Sequence, residues 1–167
     1  MKKIIAIGFL LILLQAAIIA GEKENTDHVE RGKSHFKSGF YQLTPKHRQA
    51  EAEQQYVQAV QEFKKAIAAN PEDEAAYRNL ARVYAVQKKP AEAAAAYLKV
   101  TELNPQDVDI YVLAALGLVE SKQYDKAVKT LQMAKGYTED KAALSKLDDY
   151  IAKIEAHRNG KEVSNVK

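Results

Sequence analysis

The fold is decided by one stretch of 34 residues, positions 74–107, which reads EAAYRNLARVYAVQKKPAEAAAAYLKVTELNPQD. Several of its residue types recur at the same spacing before and after it. Small residues, large apolar residues and prolines form columns with a period of 34: Ala59, Ala93 and Ala127; Phe63, Tyr97 and Leu131; Ala66, Val100 and Ala134; Pro71 and Pro105. This period indicates one helix-turn-helix unit written three times. Units that cannot bury their own apolar faces stack on one another and form a solenoid.

The composition is that of a helical chain and excludes several kinds of chemistry. Of 167 residues, 47% are hydrophobic, seven are glycine and four are proline. Ala, Lys, Glu, Gln and Leu dominate, and these residues favour helices. No window alternates with period two, so we expect no sheet. The chain has no cysteine, which excludes disulfides, thiol nucleophiles and covalent haem attachment through C-x-x-C-H.

The first twenty residues have the pattern of a secretory signal. Two lysines precede an apolar run from Ile4 to Ala20, and the sequence turns polar after Gly21. We expect cleavage after Ala20, although Ile18 is bulky for its position before the cut. The alternative is an uncleaved membrane anchor through residues 4–20, which would span about 26 Å as a helix, close to the ~30 Å core of a bilayer. The expected location is the periplasm, or the inner membrane facing the periplasm.

The charge balance argues against a nucleic-acid partner. Without residues 1–20 the chain has 23 basic and 22 acidic side chains, and therefore a net charge of +1. General nucleic-acid binders carry a strongly basic surface. We therefore expect a protein or peptide partner.

The unit at 74–107 resembles the tetratricopeptide repeat (TPR), whose pattern is W-x-x-L-G-x-x-Y, then A-x-x-x-F, then P. The matching positions are Tyr77, Leu80, Ala81, Tyr84, Ala93, Tyr97 and Pro105. The resemblance implies an all-α fold: a TPR-type right-handed α-solenoid of three helix-turn-helix repeats plus a C-terminal capping helix. It also implies a scaffold that binds other proteins and is not an enzyme.

The repeat spacing predicts the organisation of the chain. The signal or anchor occupies 1–20, the first TPR 25–70 with a helical insertion at 41–55, the second TPR 71–105, the third 106–138, a capping helix 139–157 and a disordered tail 158–167. The first repeat opens with a helix from about Asn25 to Gly39. Thr44 and Pro45 have the types preferred at an N-cap and first helical position, which predicts a second helix from Pro45 to Ala69. Its first turns, 46–55, are polar, and we interpret them as a solvated arm that either contacts a partner or has no role.

The predicted capping helix has one apolar face, formed by Leu144, Leu147, Ile151 and Ile154. Terminal repeats need such a helix because their outer face would otherwise be exposed.

In TPR proteins the first helix of each pair lines a concave groove. Carried onto this sequence, the groove residues are Lys33, Phe36, Lys37, Arg78, Asn79, Arg82, Val112, Leu113 and Leu116. Val112 and Leu116 do not suit the clamp that some TPR domains use for a peptide's C-terminal carboxylate. The groove would be basic in its N-terminal half and apolar in its C-terminal half, which suits an amphipathic or extended segment with acidic residues.

One helix of the third repeat is apolar on every side. Residues 110–119 contain no charged side chain. Two explanations remain open: an exposed apolar binding surface, or burial beneath the capping helix.

No catalytic or cofactor motif is present. His28 and His35 are seven residues apart, without H-x-x-H or H-E-x-x-H spacing, so we expect no metal site. Gly117 and Gly136 are isolated and form no phosphate-binding loop, and no G-x-S-x-G motif occurs. We expect no cofactor and no enzymatic activity.

The leading hypothesis is therefore a scaffold or adaptor of a bacterial cell envelope that binds a partner segment in the TPR groove. The alternatives are a self-assembling structural protein that forms homo-oligomers, and an accessory subunit of a membrane complex held by an uncleaved N-terminal helix.

Overall fold

The structure, a computed structural model, describes residues 2–44 and 48–160, with side chains from Leu11 onward. No strand occurs among these residues. The helices are α1 (Lys2–Lys37), a short π-helix (Ser38–Leu43), α2 (Gln49–Ala69), α3 (Glu74–Val86), α4 (Pro90–Leu103), α5 (Val108–Glu120), α6 (Tyr124–Lys135) and α7 (Lys141–Arg158). Two compact units divide the chain: unit 1 is residues 1–76 and unit 2 is residues 77–167.

The columns that recur every 34 residues are buried in all three repeats. Nine side chains are almost entirely inaccessible to solvent: Ala59, Ala93, Ala127, Phe63, Tyr97, Leu131, Ala66, Val100 and Ala134. The small residues allow helices to approach closely, and the large ones fill the space that remains. Equal spacing in sequence thus corresponds to equal burial, as the repeat hypothesis predicts.

The turn inside each of the last two repeats is also repeated. Lys88 and Lys122, again 34 residues apart, have positive φ angles of 56° and 61°. In each turn a backbone N–H donates to a carbonyl five residues back, from Lys89 to Tyr84 and from Gln123 to Leu118. A left-handed residue commonly ends a helix in this way, usually as glycine. Because lysine stands here instead, the sequence alone did not reveal these turns.

Unit 1 is built by α1 packed against α2. Val29 packs with Ala66 and Ala76 in a small buried cluster. The Asn25 side-chain amide donates to the Ala66 carbonyl at 3.0 Å. α1 runs without a break from residue 2, whereas the sequence analysis predicted a separate helix opening at Asn25. No proline interrupts this stretch, and Gly21 meets no neighbouring atom that would force a bend.

The predicted start of the second helix at Pro45 is wrong. α2 begins at Gln49, with Arg48 as its N-cap, and Pro45 lies outside the described residues. The Thr44 hydroxyl donates to the Gly39 carbonyl at 2.9 Å and lies 3.0 Å from the Tyr56 hydroxyl. Thr44 therefore closes the preceding π-helix and does not cap α2.

The solvated arm predicted at residues 46–55 is also wrong for the described part, 48–55. Ala52 is fully buried. The chain preceding α2 comes so close that a Cβ placed on Gly39 would lie 3.1 Å from the Ala52 carbonyl oxygen and 2.7 Å from the Tyr56 ring. The first turns of α2 are therefore covered by the π-helix.

Unit 2 contains two buried clusters, one around Tyr97 and Ile110 and one around Tyr111 and Leu131. α7 packs on the second cluster through Leu147, which is 1% exposed. The Asp140 carboxylate caps α7 by accepting from the backbone N–H groups of Ala142 and Ala143. α7 lies within two residues of the predicted capping helix, and it has the predicted apolar face.

The N-terminal part of α1 presents apolar side chains to solvent. Between positions 11 and 20, the exposed residues include Leu11, Ile12, Leu13, Leu14, Ile18 and Ile19. Within the described residues, no helix meets the length and hydropathy needed to cross a membrane. The predicted tail lies outside the described residues from Lys161 onward.

Candidate partner-binding surface

Three of the predicted groove residues lie on α3. Arg78 is half-buried, and its guanidinium pairs with the Asp107 carboxylate at 2.9 Å. Asp107 is the N-cap residue of α5, so this ion pair connects α3 to the beginning of α5. Asn79 is half-buried, and Arg82 is exposed.

Arg78 and Arg82 place positive charge close to the Tyr97 hydroxyl. Burial raises the pKa of Tyr97 above its usual value, and the charges of Arg82 and Arg78 partly offset this increase. Such an effect requires both guanidinium groups to lie near the phenol oxygen. This part of unit 2 is therefore electropositive, as the sequence analysis predicted for Arg78 and Arg82.

The three predicted groove residues on α5 differ in exposure. Val112 is half-buried and packs against the cluster that also holds Ile151 and Ile154 of α7. Leu113 is 40% exposed and Leu116 is 54% exposed. Each explanation offered for this apolar helix thus describes one side of it. α7 covers Val112, while Leu113 and Leu116 remain at the surface.

A cleft of about 260 Å³ lies between α5 and α7. Its lining includes Val112, Leu116, Val119, Tyr150, Lys153 and Ile154. The sequence analysis missed the three residues from α7. Ile154 was assigned to the buried face of that helix, and Tyr150 and Lys153 flank the same face. Their positions beside a buried stripe were the available signal, but periodicity does not indicate which exposed residues border a cleft.

The remaining three predicted groove residues lie on α1 in unit 1. Lys33 pairs with Glu30 at 2.8 Å, and Lys37 is exposed in the last turn. Phe36 stacks on Phe40 with ring centroids 5.7 Å apart, and it also contacts Tyr56 at 6.1 Å. Phe36 therefore belongs to an aromatic cluster that fastens the π-helix to α2. The structure describes each of the two sets of groove residues within its own unit, and their common role stays a prediction.

The two histidines considered as metal ligands both bond to α2. His28 Nδ1 lies 2.7 Å from a Glu62 carboxylate oxygen, and His35 Nδ1 lies 2.8 Å from the Gln55 side-chain oxygen. Across residues 2–44 and 48–160, no three potential ligands come together in a way that could hold a metal ion.

Glu62 is the centre of a polar cluster that joins α1 to α2. Its carboxylate accepts hydrogen bonds from Lys65 at 2.7 Å and from the Arg31 Nε at 2.9 Å. The side chain is only 13% exposed. Lys65, followed by His28 and Arg31, lowers the pKa of Glu62 to about 2, against the effect of burial.

This lowered pKa predicts a pH dependence of stability in unit 1. Because the carboxylate titrates near 4.5 when unfolded and near 2 when folded, its contribution is complete above about pH 5 and is lost as the pH falls toward 2. The shift corresponds to at most about 3 kcal/mol, and solvent screening at Arg31 and Lys65 reduces it. We expect Glu62→Gln to lower the free energy of unfolding by about 1–2 kcal/mol at pH 7.

The measurement is urea denaturation of wild type and Glu62→Gln between pH 7 and pH 3. The difference in unfolding free energy should shrink as the pH falls. A difference that stays constant or grows on acidification would contradict the assignment. Glu53→Gln, at an exposed position of the same helix, is the matched control.

Comparison with known proteins agrees with this architecture. Residues 50–116 match the family model described as tetratricopeptide repeat, a span from α2 into α5. The fold is also that of solved TPR domains. These findings support the TPR family. The predicted all-α, TPR-type solenoid is confirmed.

Three solved TPR domains illustrate the similarity. The TPR2B domain of yeast Sti1 in a complex with pHsp70 is 22% identical, with 81% of this chain and 99% of that chain covered and a TM-score of 0.57. The first TPR of Spaghetti (RPAP3), bound to the HSP90 peptide SRMEEVD, is 18% identical, with coverage of 81% and 93% and a TM-score of 0.57. The second TPR domain of human RPAP3, with the HSP70 peptide SGPTIEEVD, is 16% identical, with coverage of 81% and 98% and a TM-score of 0.57.

At these identities the similarity concerns the fold. None of the curated proteins compared with the chain matches it in sequence.

Proposed function

We propose that this protein is a non-catalytic scaffold that binds a protein or peptide partner on the surface formed by α3 and α5. The observation that carries the proposal is the exposure of Leu113 and Leu116 at positions that meet ligands in TPR domains. Exposed leucines three residues apart on one helix are typical of a surface that a partner covers. Arg78 and Arg82, on α3 of the same unit, add positive charge.

The solved TPR domains support this mode of action by analogy. The Sti1 domain was solved with pHsp70, and the two RPAP3 domains were solved with HSP90 and HSP70 peptides. For this chain, the class of partner follows from its own surface: a segment that carries both apolar and acidic side chains.

The proposed setting is the bacterial cell envelope. Its support is the apolar run from Ile4 to Ala20 after two lysines, together with the exposure of the apolar side chains that follow position 10. N-terminal sequencing of the protein from its own cells tests export. A chain that begins at Gly21 supports a processed exported protein, and one that begins at Met1 favours the membrane anchor.

A matched pair of charge reversals tests partner binding. Arg82 and Lys129 are both exposed, on α3 and α6 respectively, and α6 contributes no predicted groove residue. Tagged wild type, Arg82→Glu and Lys129→Glu would be purified from source-cell extract, and the co-purified proteins would be quantified by mass spectrometry. We expect a partner recovered with wild type and Lys129→Glu to fall at least about tenfold with Arg82→Glu, as for a central interface residue. Equal recovery with both variants would contradict the proposed surface.

A further inference from the structure

The cleft between α5 and α7 has the size of an anchor site for one side chain. Its volume of about 260 Å³ lies below the range of about 300–1,000 Å³ found for small-molecule pockets. Leu131, which is almost fully buried, lies at its base. Leu116 and Tyr150 border it from the two helices and are themselves largely exposed. A single aliphatic side chain entering between them would contact hydrocarbon on all sides.

The rim of the cleft on α7 is cationic. Lys146, Tyr150 and Lys153 are spaced four and three residues apart, so they share one face of the helix. The cleft is lined by Lys153 and by no carboxylate among the described residues. Lys153 pairs at 2.6 Å with Asp149 on the same helix, and both side chains are exposed. An exposed pair of this kind contributes little, so Lys153 can turn to a carboxylate on an incoming segment.

We propose that this cleft is the anchor site for an acidic amphipathic segment of the partner, with one aliphatic side chain inserted between Leu116 and Tyr150 and a neighbouring carboxylate paired with Lys153. The inference rests on the proposed function and specifies which chemistry the partner brings. The segment lies along the trough between α5 and α7 as a helix in a groove. Leu113, one turn before Leu116, extends the apolar contact.

The test is a binding titration with the full chain. The probe is a fluorescein-labelled synthetic peptide with leucine at every third or fourth position and glutamate between the leucines, followed by fluorescence anisotropy. We expect Leu116→Glu and Lys153→Gln each to weaken binding by about tenfold or more, as for residues at the centre of an interface. Met133→Glu is the matched control for Leu116→Glu, because Met133 is 50% exposed on α6 and does not line the cleft. It should bind within about twofold of wild type.

A second peptide, with lysine in place of every glutamate, tests the charge argument. The inference predicts that this peptide binds at least about tenfold more weakly. Equal binding of the two peptides, absence of binding by the acidic peptide, or equal effects of Leu116→Glu and Met133→Glu would each overturn it. Circular dichroism of each variant separates loss of binding from loss of folding.

Two further measurements ask whether another occupant fills the cleft. Tighter peptide binding after truncation at Gly160 would show that residues 161–167 occupy it. A dimer in sedimentation velocity that Leu116→Glu converts to monomer would show that a second copy occupies it. Either result overturns the inference. If Arg82→Glu abolishes partner recovery while Leu116→Glu does not, the anchor site fails and the proposed function stands.

Discussion

Replacing Gly117 with alanine should destabilise unit 2, although alanine favours helices over glycine. A Cβ at position 117 would lie 2.7 Å from the Pro90 carbonyl oxygen, 3.1 Å from the Ala94 Cβ and 3.2 Å from the Ala94 nitrogen. Two of these atoms belong to the backbone of α4, which cannot rotate away as a side chain can. Accommodating the methyl group therefore requires α4 and α5 to separate. Overpacking of this kind costs about 1–3 kcal/mol, more than the gain of up to about 1 kcal/mol in helix propensity.

The control for this prediction is the same substitution at an open site. Gly21 lies within α1, and a Cβ there meets no atom within 4 Å. Gly21→Ala should be neutral or stabilising by up to about 1 kcal/mol. Urea denaturation of both variants, followed by circular dichroism, measures the free energies of unfolding. Wild-type stability for Gly117→Ala would contradict the close approach of α4 and α5.

Replacing Leu147 with alanine should have the second large effect. Leu147 is the one fully buried residue of α7, and it packs with Tyr111, Leu131 and Ala134. Its truncation removes apolar contacts and leaves a cavity beneath the helix, which costs about 2–5 kcal/mol. Because the other apolar residues of α7 are only partly buried, we expect α7 to detach before the rest of unit 2 unfolds.

Hydrogen exchange measured by mass spectrometry tests this second prediction. In Leu147→Ala the amides of residues 141–158 should exchange much faster, while those of α4 and α5 should change little. Leu144→Ala, at a half-buried position on the same helix, should have a smaller effect. Unchanged protection of α7 in Leu147→Ala would show that Leu147 does not hold the helix in place. Loss of α7 should also weaken binding of the acidic peptide, since Tyr150 and Lys153 lie on it.

The sequence predicted the repeated core well because one physical requirement recurs in each unit. Ala59, Ala93 and Ala127 must all be small where paired helices approach, and each is buried. Asn104 and Pro105 likewise predicted the end of α4, which the structure places at Leu103 with Asn104 as the C-cap. Where a local signal and the packing ask for the same residue, sequence periodicity is sufficient.

The prediction was wrong where a tertiary contact outweighed a local signal. Thr44 and Pro45 have the types that begin a helix, but the Thr44 hydroxyl bonds to Gly39 and Tyr56 instead. The burial of Ala52 depends on the π-helix, which no periodic pattern in the sequence indicates.

The candidate site was predicted less completely than the core. The sequence identified the apolar surface of α5 at Leu113 and Leu116 because a helix without charges needs a cover. It did not identify Tyr150 and Lys153 on the other side of the cleft, since each is an ordinary exposed residue in its own helix. It also did not reveal that Arg78 pairs with Asp107, because the two residues belong to different repeats and come together only through packing.

Site-specific photo-crosslinking in the source cells tests the proposed scaffold role most directly. A photoreactive amino acid would replace Leu113 on α5 or, as the control, Lys129 on α6; both positions are exposed. If α3 and α5 form the partner-binding surface, irradiation should give a discrete higher-mass adduct from position 113 and none from position 129. No adduct at position 113, or the same adduct at both positions, would contradict the account.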